Sequence, residues 1–413
     1  MDRICMSVAI LPMAKEFGWA PGVQGIIQSS FLWGYMATQV LGGTLADKYG
    51  GKIVMAYGVL WFSLASLLLP VALSSSVAIA GLTLPAVCLA RCCVGLGEGV
   101  ALPCMNNLVA RNIPPGKRAT ALGNAFTGFH SGNLLGLFVS PLLLAAYGWR
   151  TLFYTFGILG GPLLAVWLLV VPKQTRASRQ DQAPVSRLAD PTGGQVVLGE
   201  AAPVRPPPGA ISMMGLMSKP ATWAIIIVNF VNHWGYFIYL NWMPTYFYQV
   251  LGLDLKASSL LAFIPWLVMA CGSTMAGWLA DSLVRRGVDV TRVRKGMQTV
   301  AFLGPAISLL VLANRGISAR LALTCMTCAL GITSLGQAGF VANMSDIAPR
   351  YAGQMFGLCN TFGSLAGILG VSAVGFIVEK TGSFDPVFKL TAAMYVFATI
   401  VWNLLCTGER VFE

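Results

Sequence analysis

The chain of 413 residues contains about twelve apolar runs of roughly 18 residues or more, separated by short polar loops, and few folds accommodate that pattern. A run of this length crosses the hydrocarbon core as a helix, because every backbone N–H and C=O must find its partner inside the segment where no water is present. The composition agrees: 56% of the residues are hydrophobic and 10% are charged, against about 25% charged in soluble domains. An all-α polytopic membrane protein is therefore predicted, and a water-soluble fold is excluded. The spans fall at roughly 22–46, 52–73, 77–109, 118–147, 150–172, 220–250, 256–282, 296–313, 319–344, 352–378 and 387–406. The apolar stretch before Lys15 is too short to cross and reads as the second half of a first helix whose beginning is missing, so no targeting peptide is legible.

Residues 173–219, with Arg205-Pro206-Pro207-Pro208-Gly209, have the composition of a disordered linker. Three parts follow: an N-terminal six-helix bundle over 1–172, the linker over 173–219, and a C-terminal six-helix bundle over 220–413. An internal repeat relates the bundles. Gly43-Thr44-Leu45-Ala46-Asp47 returns as Gly277-Trp278-Leu279-Ala280-Asp281, and at the same offset of 234 residues Ile113, Pro115, Gly123 and Gly136 match Ile347, Pro349, Gly357 and Gly370. Two parallel six-helix halves around a central cavity are the plan of alternating-access carriers.

The net charge of +12 invites a nucleic-acid reading, but its distribution points to a bilayer instead. With the Lys48/Lys52 loop placed in the cytoplasm or its equivalent, eighteen of the 27 Lys and Arg fall on that side and seven on the other. The asymmetry sets the orientation, with both termini on the basic side, and no nucleic-acid partner is needed. Two of the 27, Arg3 and Arg91, lie inside the membrane. Arg91 and Glu98 interrupt what reads as one long apolar helix from Val77 to about Val109, seven residues and so about two turns apart on one face. Intramembrane charges are costly and commonly face a wet cavity, although an ion pair that merely locks helices, or an arginine snorkelling to a headgroup, is the plainer alternative.

At the repeat offset Asp2, Arg3, Arg91 and Glu98 correspond to Tyr236, Phe237, Cys325 and Ile332, so the buried charge belongs to the first half. The facing half offers a polar stripe on the seventh span, Asn229, Asn232, His233, Tyr236 and Tyr239, able to hydrogen-bond a substrate or simply to join helices. The candidate substrate-binding residues are Arg3, Arg91, Asn232, His233 and Tyr236; the candidate ion-coupling residues are Asp2 and Glu98. With both carboxylates ionised the four charges cancel, and protonating Glu98 leaves net positive charge for an anion. Burial and a nearby arginine pull a carboxyl in opposite senses, leaving Glu98 poised to change protonation as a cavity opens. His130 and His233 are either proton relays or hydrogen-bonded neutral groups. No metal site or cofactor is expected, the ten cysteines reading as small packing residues. The strings Gly128/Gly132/Gly136 and Gly353/Gly357 with Gly363/Gly367 read as close-packing seams.

Gly43-Thr44-Leu45-Ala46-Asp47-Lys48-Tyr49-Gly50-Gly51-Lys52 resembles the loop signature of the major facilitator superfamily between its second and third spans. The resemblance implies the major facilitator fold and a gating role for Gly43, Asp47, Lys48, Gly50, Lys52 and the repeat's Asp281. In physical terms, Gly43 permits close helix approach, and an aspartate such as Asp47 can sit at the N-terminus of a neighbouring helix and favour one closed state through the helix dipole. A narrower resemblance covers nearly the whole chain. Asp2-Arg3, the Arg91…Gly95…Glu98-Gly99 span, Gly148-Trp149-Arg150, Asn232-His233-Trp234-Gly235 and Asn343-Met344-Ser345-Asp346 are similar to the anion:cation symporter family. Its plant branch, the plastid phosphate and ascorbate type of anion transporter, is most similar through Phe31-Leu32-Trp33-Gly34-Tyr35 and Asn241-Trp242-Met243-Pro244-Thr245-Tyr246.

That resemblance implies that Arg3 and Arg91 serve the anion and that Glu98 and Asp2 serve coupling. It implies a monomeric secondary carrier of a small anion, inorganic phosphate first and ascorbate or a glutamate-like organic anion second, driven by protons or sodium in a chloroplast envelope or thylakoid membrane. A transporter-like receptor without turnover is the alternative of another class. An enzyme is not expected, since neither His-Glu-x-x-His nor Gly-x-Ser-x-Gly occurs.

Overall fold

The computed structural model describes residues 2–73, 82–112, 118–171, 213–314, 316–348 and 351–412. Its first half contains α1 (Asp2–Phe17), α2 (Pro21–Tyr49), α3 (Gly51–Ala72), α4 (Thr83–Glu98), α5 (Ala101–Asn112), α6 (Arg118–Tyr147) and α7 (Trp149–Val170). The second half follows a short α8 (Met213–Met217) with α9 (Pro220–Gln249), α10 (Leu255–Leu261), α11 (Phe263–Arg285), α12 (Val290–Leu312), α13 (Ala319–Thr333), α14 (Phe340–Ile347), α15 (Ala352–Thr381) and α16 (Asp385–Leu405). Nine helical stretches among the described residues are long and apolar enough to cross a membrane. The chain is thus a multi-pass membrane protein. The 29-residue α2 carries Gln24, Gln28, Ser29 and Ser30, all buried within the protein and away from lipid.

The repeat is visible in the helix bounds. Shifted by 234 residues, α6 coincides with Ala352–Thr381, which is α15, and α2 covers the stretch from Leu255 to Leu283, which is α10 and most of α11. Packing repeats as well. The pairs α3–α7, α3–α4, α2–α4 and α1–α6 of the first half have counterparts α12–α16, α12–α13, α11–α13 and α9–α15 in the second. Between halves, α2 lies along α15 and α6 against α10 and α11, while α1 meets α9.

The span expected to run unbroken from Val77 is interrupted at Gly99-Val100, between α4 and α5. Pro103 explains the position, since it has no N–H to give the Gly99 carbonyl four residues earlier. Its counterpart breaks at the equivalent place, where the 3-10 turn Ser334–Gln337 separates α13 from α14. Most of the predicted linker lies outside the described residues; its end forms α8, with Leu216 buried.

The glycine seams are only partly where the strings place them. No atom lies within 4 Å of a methyl group built on Gly128 or Gly357, whereas one on Gly363 would meet His233 Cγ at 2.8 Å and one on Gly367 would overlap the Phe237 ring. Gly128 and Gly357 are exposed positions, and neither makes a close approach among the described residues. The tightest seam is between α2 and α4: a methyl on Gly34 would overlap the Cys92 carbonyl, and one on Gly95 the Phe31 carbonyl. The close approach expected at Gly43 is made one residue earlier. A methyl on Gly42 would meet Val100 Cα at 2.9 Å, but one on Gly43 only Pro103 Cβ at 3.9 Å. A helix turns by about 100° per residue, so neighbouring glycines cannot both face one partner.

At the face away from the basic loops the halves are closed. The Gly22 N–H donates to Glu379 Oε2 at 2.8 Å and Ser372 Oγ to Ser29 Oγ at 2.9 Å. Methyl groups on Gly25 and Gly375 would collide with backbone atoms of the opposite half.

Candidate functional site

On the basic-loop side of that seal lies a cavity of about 480 Å³ between the two halves. Its wall draws Arg3 from α1, Tyr35 from α2, Leu102 from α5, Ser131 and Leu134 from α6, and Asn229, Asn232, His233, Tyr236 and Phe237 from α9. The second half adds Met269, Ala270, Ser273 and Thr274 on α11, Gln337 of the 3-10 turn, Phe340, Val341 and Met344 on α14, and Phe356, Cys359, Asn360 and Ser364 on α15. These positions occupy the middle and basic-side parts of their helices, so the cavity lies toward the basic loops, where Asn360 Nδ2 donates to Gln39 Oε1 at 2.8 Å between the halves.

Arg3 is the one Lys or Arg among the described residues of the wall. Its guanidinium lies over three rings, with Cζ at 4.8 Å from the centroid of Phe237, 5.4 Å from Phe31 and 5.6 Å from Tyr35. Aromatic faces attract a cation electrostatically, which offsets part of the hydration lost on burial. Phe237 is the repeat counterpart of Arg3, so the pseudo-twofold passes close to this contact. Arg91 is 1% exposed and is not on the wall; its Cζ lies 5.2 Å from the centroid of Phe31, a ring it shares with Arg3. Glu98 is half-buried at the end of α4, beside the interruption, and its charge and that of Arg3 both act on Tyr35. The side chains of Asp2, Asp47 and His130 lie outside the described part of the structure.

Four members of the seventh-span stripe reach the cavity. Tyr239 does not: it is buried beside Tyr395 on α16. One stripe of a helix can face two neighbours when the helix is crossed partway along, and α16 takes the Tyr239 end. Asn229 Nδ2 donates to the Cys359 carbonyl. His233 Nδ1 is 2.9 Å from the Asn229 carbonyl, which can only accept, so Nδ1 carries the proton and Nε2 is the lone-pair nitrogen of the neutral ring. Tyr236 packs edge-on against Phe237 and Trp266, with centroids at 5.3 and 5.1 Å. Unpredicted wall residues include Tyr35, Ser131, Phe237, Ser273, Thr274, Gln337, Asn360 and Ser364; the small polar ones were visible as isolated polar positions in apolar runs.

The loop between α2 and α3 holds to its own half. Gly50 closes α2 at φ 94°, a region that favours glycine, and the Gly51 N–H donates to Asn107 Oδ1 at 3.2 Å. Lys52 is buried and its Nζ donates to the Leu168 carbonyl at 2.7 Å and to that of Val171, capping the C-terminus of α7. Lys48 is exposed over the Tyr49 ring, and Asp281 in the second copy is exposed.

Two pseudo-symmetric helical bundles enclosing a cavity lined by apolar, aromatic and a few polar side chains and sealed on one face have the plan of a secondary transporter. Comparison with known proteins assigns the family: the chain belongs to the Major Facilitator Superfamily, whose model matches residues 1–371. The ascorbate transporter of Arabidopsis thaliana chloroplasts is 44% identical over 413 residues, covering 100% of this chain and 73% of that protein. The chloroplastic sodium-dependent phosphate transport protein 1 of the same plant is 43% identical over 416 residues, with 100% and 77% covered. Among solved structures, a D-xylose-proton symporter superposes with a TM-score of 0.75 at 17% identity, covering 99% of this chain and 97% of that one. An inward-facing bacterial homologue of the lysosomal transporter Spinster gives 0.70 at 16% identity, covering 98% and 93%. At these identities the structural likeness concerns the fold alone.

Proposed function

We propose that this transporter moves a small anion by alternating access, with inorganic phosphate the first candidate and protons or sodium the driving ion, in the envelope or thylakoid membrane of a chloroplast. The observation that carries this reading is Arg3, a full positive charge on a cavity wall otherwise built, among the described residues, from neutral groups. Charge-assisted hydrogen bonds from a guanidinium suit phosphate and carboxylate alike. Asn232, His233 and Tyr236 face Arg3's half across the cavity and complete the anion's hydrogen bonds, and Arg91 adds a second cation from behind Phe31. Glu98 takes the coupling proton, with Asp2 assisting, so that loading the proton leaves net positive charge for the anion. Residues 173–219 tether the two bundles. The names of the two relatives, one for ascorbate and one for phosphate, support an anion and leave its identity open.

Counterflow into proteoliposomes with labelled phosphate, competed by ascorbate, glutamate and sulfate, tests the reading. Exchange is expected, and Arg3→Gln raises KM by about 10- to 100-fold, as the loss of hydrogen bonds from a charged group worth about 1.5–3 kcal/mol requires. Glu98→Gln keeps exchange but loses proton-driven accumulation. Undiminished accumulation in that variant excludes Glu98 as the coupling group.

A second reading, an organic anion of the ascorbate kind, is favoured by the cavity itself. Its volume of about 480 Å³ and the rings of Tyr35, Tyr236 and Phe237 suit a larger, partly apolar solute. Stronger competition by ascorbate than by phosphate selects it.

A further inference from the structure

One ring serves two cations. The Phe31 centroid is 5.4 Å from Arg3 Cζ and 5.2 Å from Arg91 Cζ, yet the two arginines are placed differently. Arg3 is on the cavity wall, whereas Arg91 and Phe31, 1% and 2% exposed, are both behind it. Phe31 is therefore within cation–π reach of both the guanidinium on the cavity wall and the one behind it. The backbone holds it there: the Phe31 carbonyl packs against Gly95, one turn beyond Arg91, so closely that no methyl fits between. The ring also stacks on Tyr35, with centroids 5.7 Å apart and planes at 26°, and Tyr35 closes the wall in front of it.

We infer that Phe31 is a positioning residue that screens Arg91 from the open cavity, so that an anion meets one guanidinium while the cavity is open and two only once the ring is displaced. The role in anion release rests on the function proposed above; the screening itself does not. Arg3 keeps its place without Phe31, because Phe237 is nearer to it, whereas Phe31 is the ring over which Arg91 lies. An anion held by one arginine leaves the open cavity easily; one held by two does not.

Modification of arginine by phenylglyoxal in the purified, reconstituted full chain, mapped by mass spectrometry, reads the screen directly. Arg3 is modified in every variant. Arg91 is protected in the wild type and in Phe31→Trp and becomes modified in Phe31→Ala, with Phe31→Leu giving the same answer if the alanine variant does not fold. Equal modification of Arg91 in the wild type, or protection that survives loss of the ring, overturns the inference. Binding of labelled inorganic phosphate reads the consequence. Phe31→Ala binds about tenfold tighter and exchanges more slowly, a combination that damage to packing does not produce, and Arg91→Gln in the same background removes the gain. Phosphate affinity that is unchanged or weaker in Phe31→Ala, with Arg91 unmasked, overturns the role in release. If Arg91 is unmasked as expected but neither phosphate nor ascorbate binds to any variant, the screen stands and the anion-carrier reading falls.

Discussion

A methyl group at Gly95 has nowhere to go. It would overlap the Phe31 carbonyl and approach the Tyr35 nitrogen at 2.8 Å, both of them backbone atoms of a helix that cannot give locally. Overpacking of this kind costs about 1–3 kcal/mol, so Gly95→Ala lowers the thermal midpoint in detergent and the transport rate together. Gly43→Ala, whose new methyl finds only Pro103 Cβ at 3.9 Å, leaves the midpoint near that of the wild type. A scan that ranks the two substitutions the other way shows that the α2–α4 seam is misassigned. The residues of the site were unequally legible for a related reason. Arg3, Asn232, His233 and Tyr236 are polar side chains in apolar runs, where only a cavity or a partner makes them affordable, and pattern alone picks them out. Phe31 and Phe237 are as apolar as the core around them, and nothing in one dimension marks a ring that faces a guanidinium.

Helix by helix, the chain was read with little error, because a bilayer enforces length and composition at once. The bounds of α6 and α15 agree with the expected spans at 118–147 and 352–378 to within three residues. What escaped were breaks inside single apolar runs, at Ala262, at the 3-10 turn Ser334–Gln337 and, most sharply, at Gly99-Val100. The apolar pattern continues through this last break, and the cause, a missing hydrogen bond from Pro103, is a matter of backbone chemistry that hydropathy does not register. The same limit applies to the loop after α2, where Lys52 looked like one more positive charge on the basic side. In the folded chain its ammonium holds two C-terminal carbonyls of α7, and Trp167 Nε1 donates back to the Lys52 carbonyl at 3.0 Å. Replacing Lys52 by Met leaves those buried acceptors unpaired, at about 1–3 kcal/mol. Thermal unfolding in detergent is expected to show a lower midpoint for Lys52→Met and partial recovery in Lys52→Arg. An unchanged midpoint in Lys52→Met excludes the capping role and returns the residue to a gating function alone.

For the molecule as a whole, a cavity on the basic side persists only while the opposite face stays shut, and among the described residues the polar part of that closure rests on a few contacts. Glu379, near the end of α15, accepts the Gly22 N–H in the first turn of α2, where the helix dipole favours a negative charge. The Ser372–Ser29 hydrogen bond lies two turns deeper, and the glycine contacts of Gly25 and Gly375 bring the backbones together beside both. Because these groups belong to different halves, each contact is lost when the cavity opens to the other side, and its free energy biases the equilibrium between the two states directly. Glu379→Gln keeps an acceptor but gives up the charge, about 0.3–1 kcal/mol, and moves the populations a few-fold. Glu379→Ala gives up the charge-assisted hydrogen bond as well, about 1.5–3 kcal/mol, and moves them by tenfold or more. A single cysteine at Ser131, on the cavity wall but outside the seal, reports the outcome when the native cysteines are replaced. An impermeant maleimide reaches it from the basic side in the otherwise wild-type protein. In the Glu379 variants its reaction from the opposite side rises, more for alanine than for glutamine. If labelling from that side is the same in all three proteins, the closure is held by the glycine-packed backbones alone and the carboxylate contributes nothing to it.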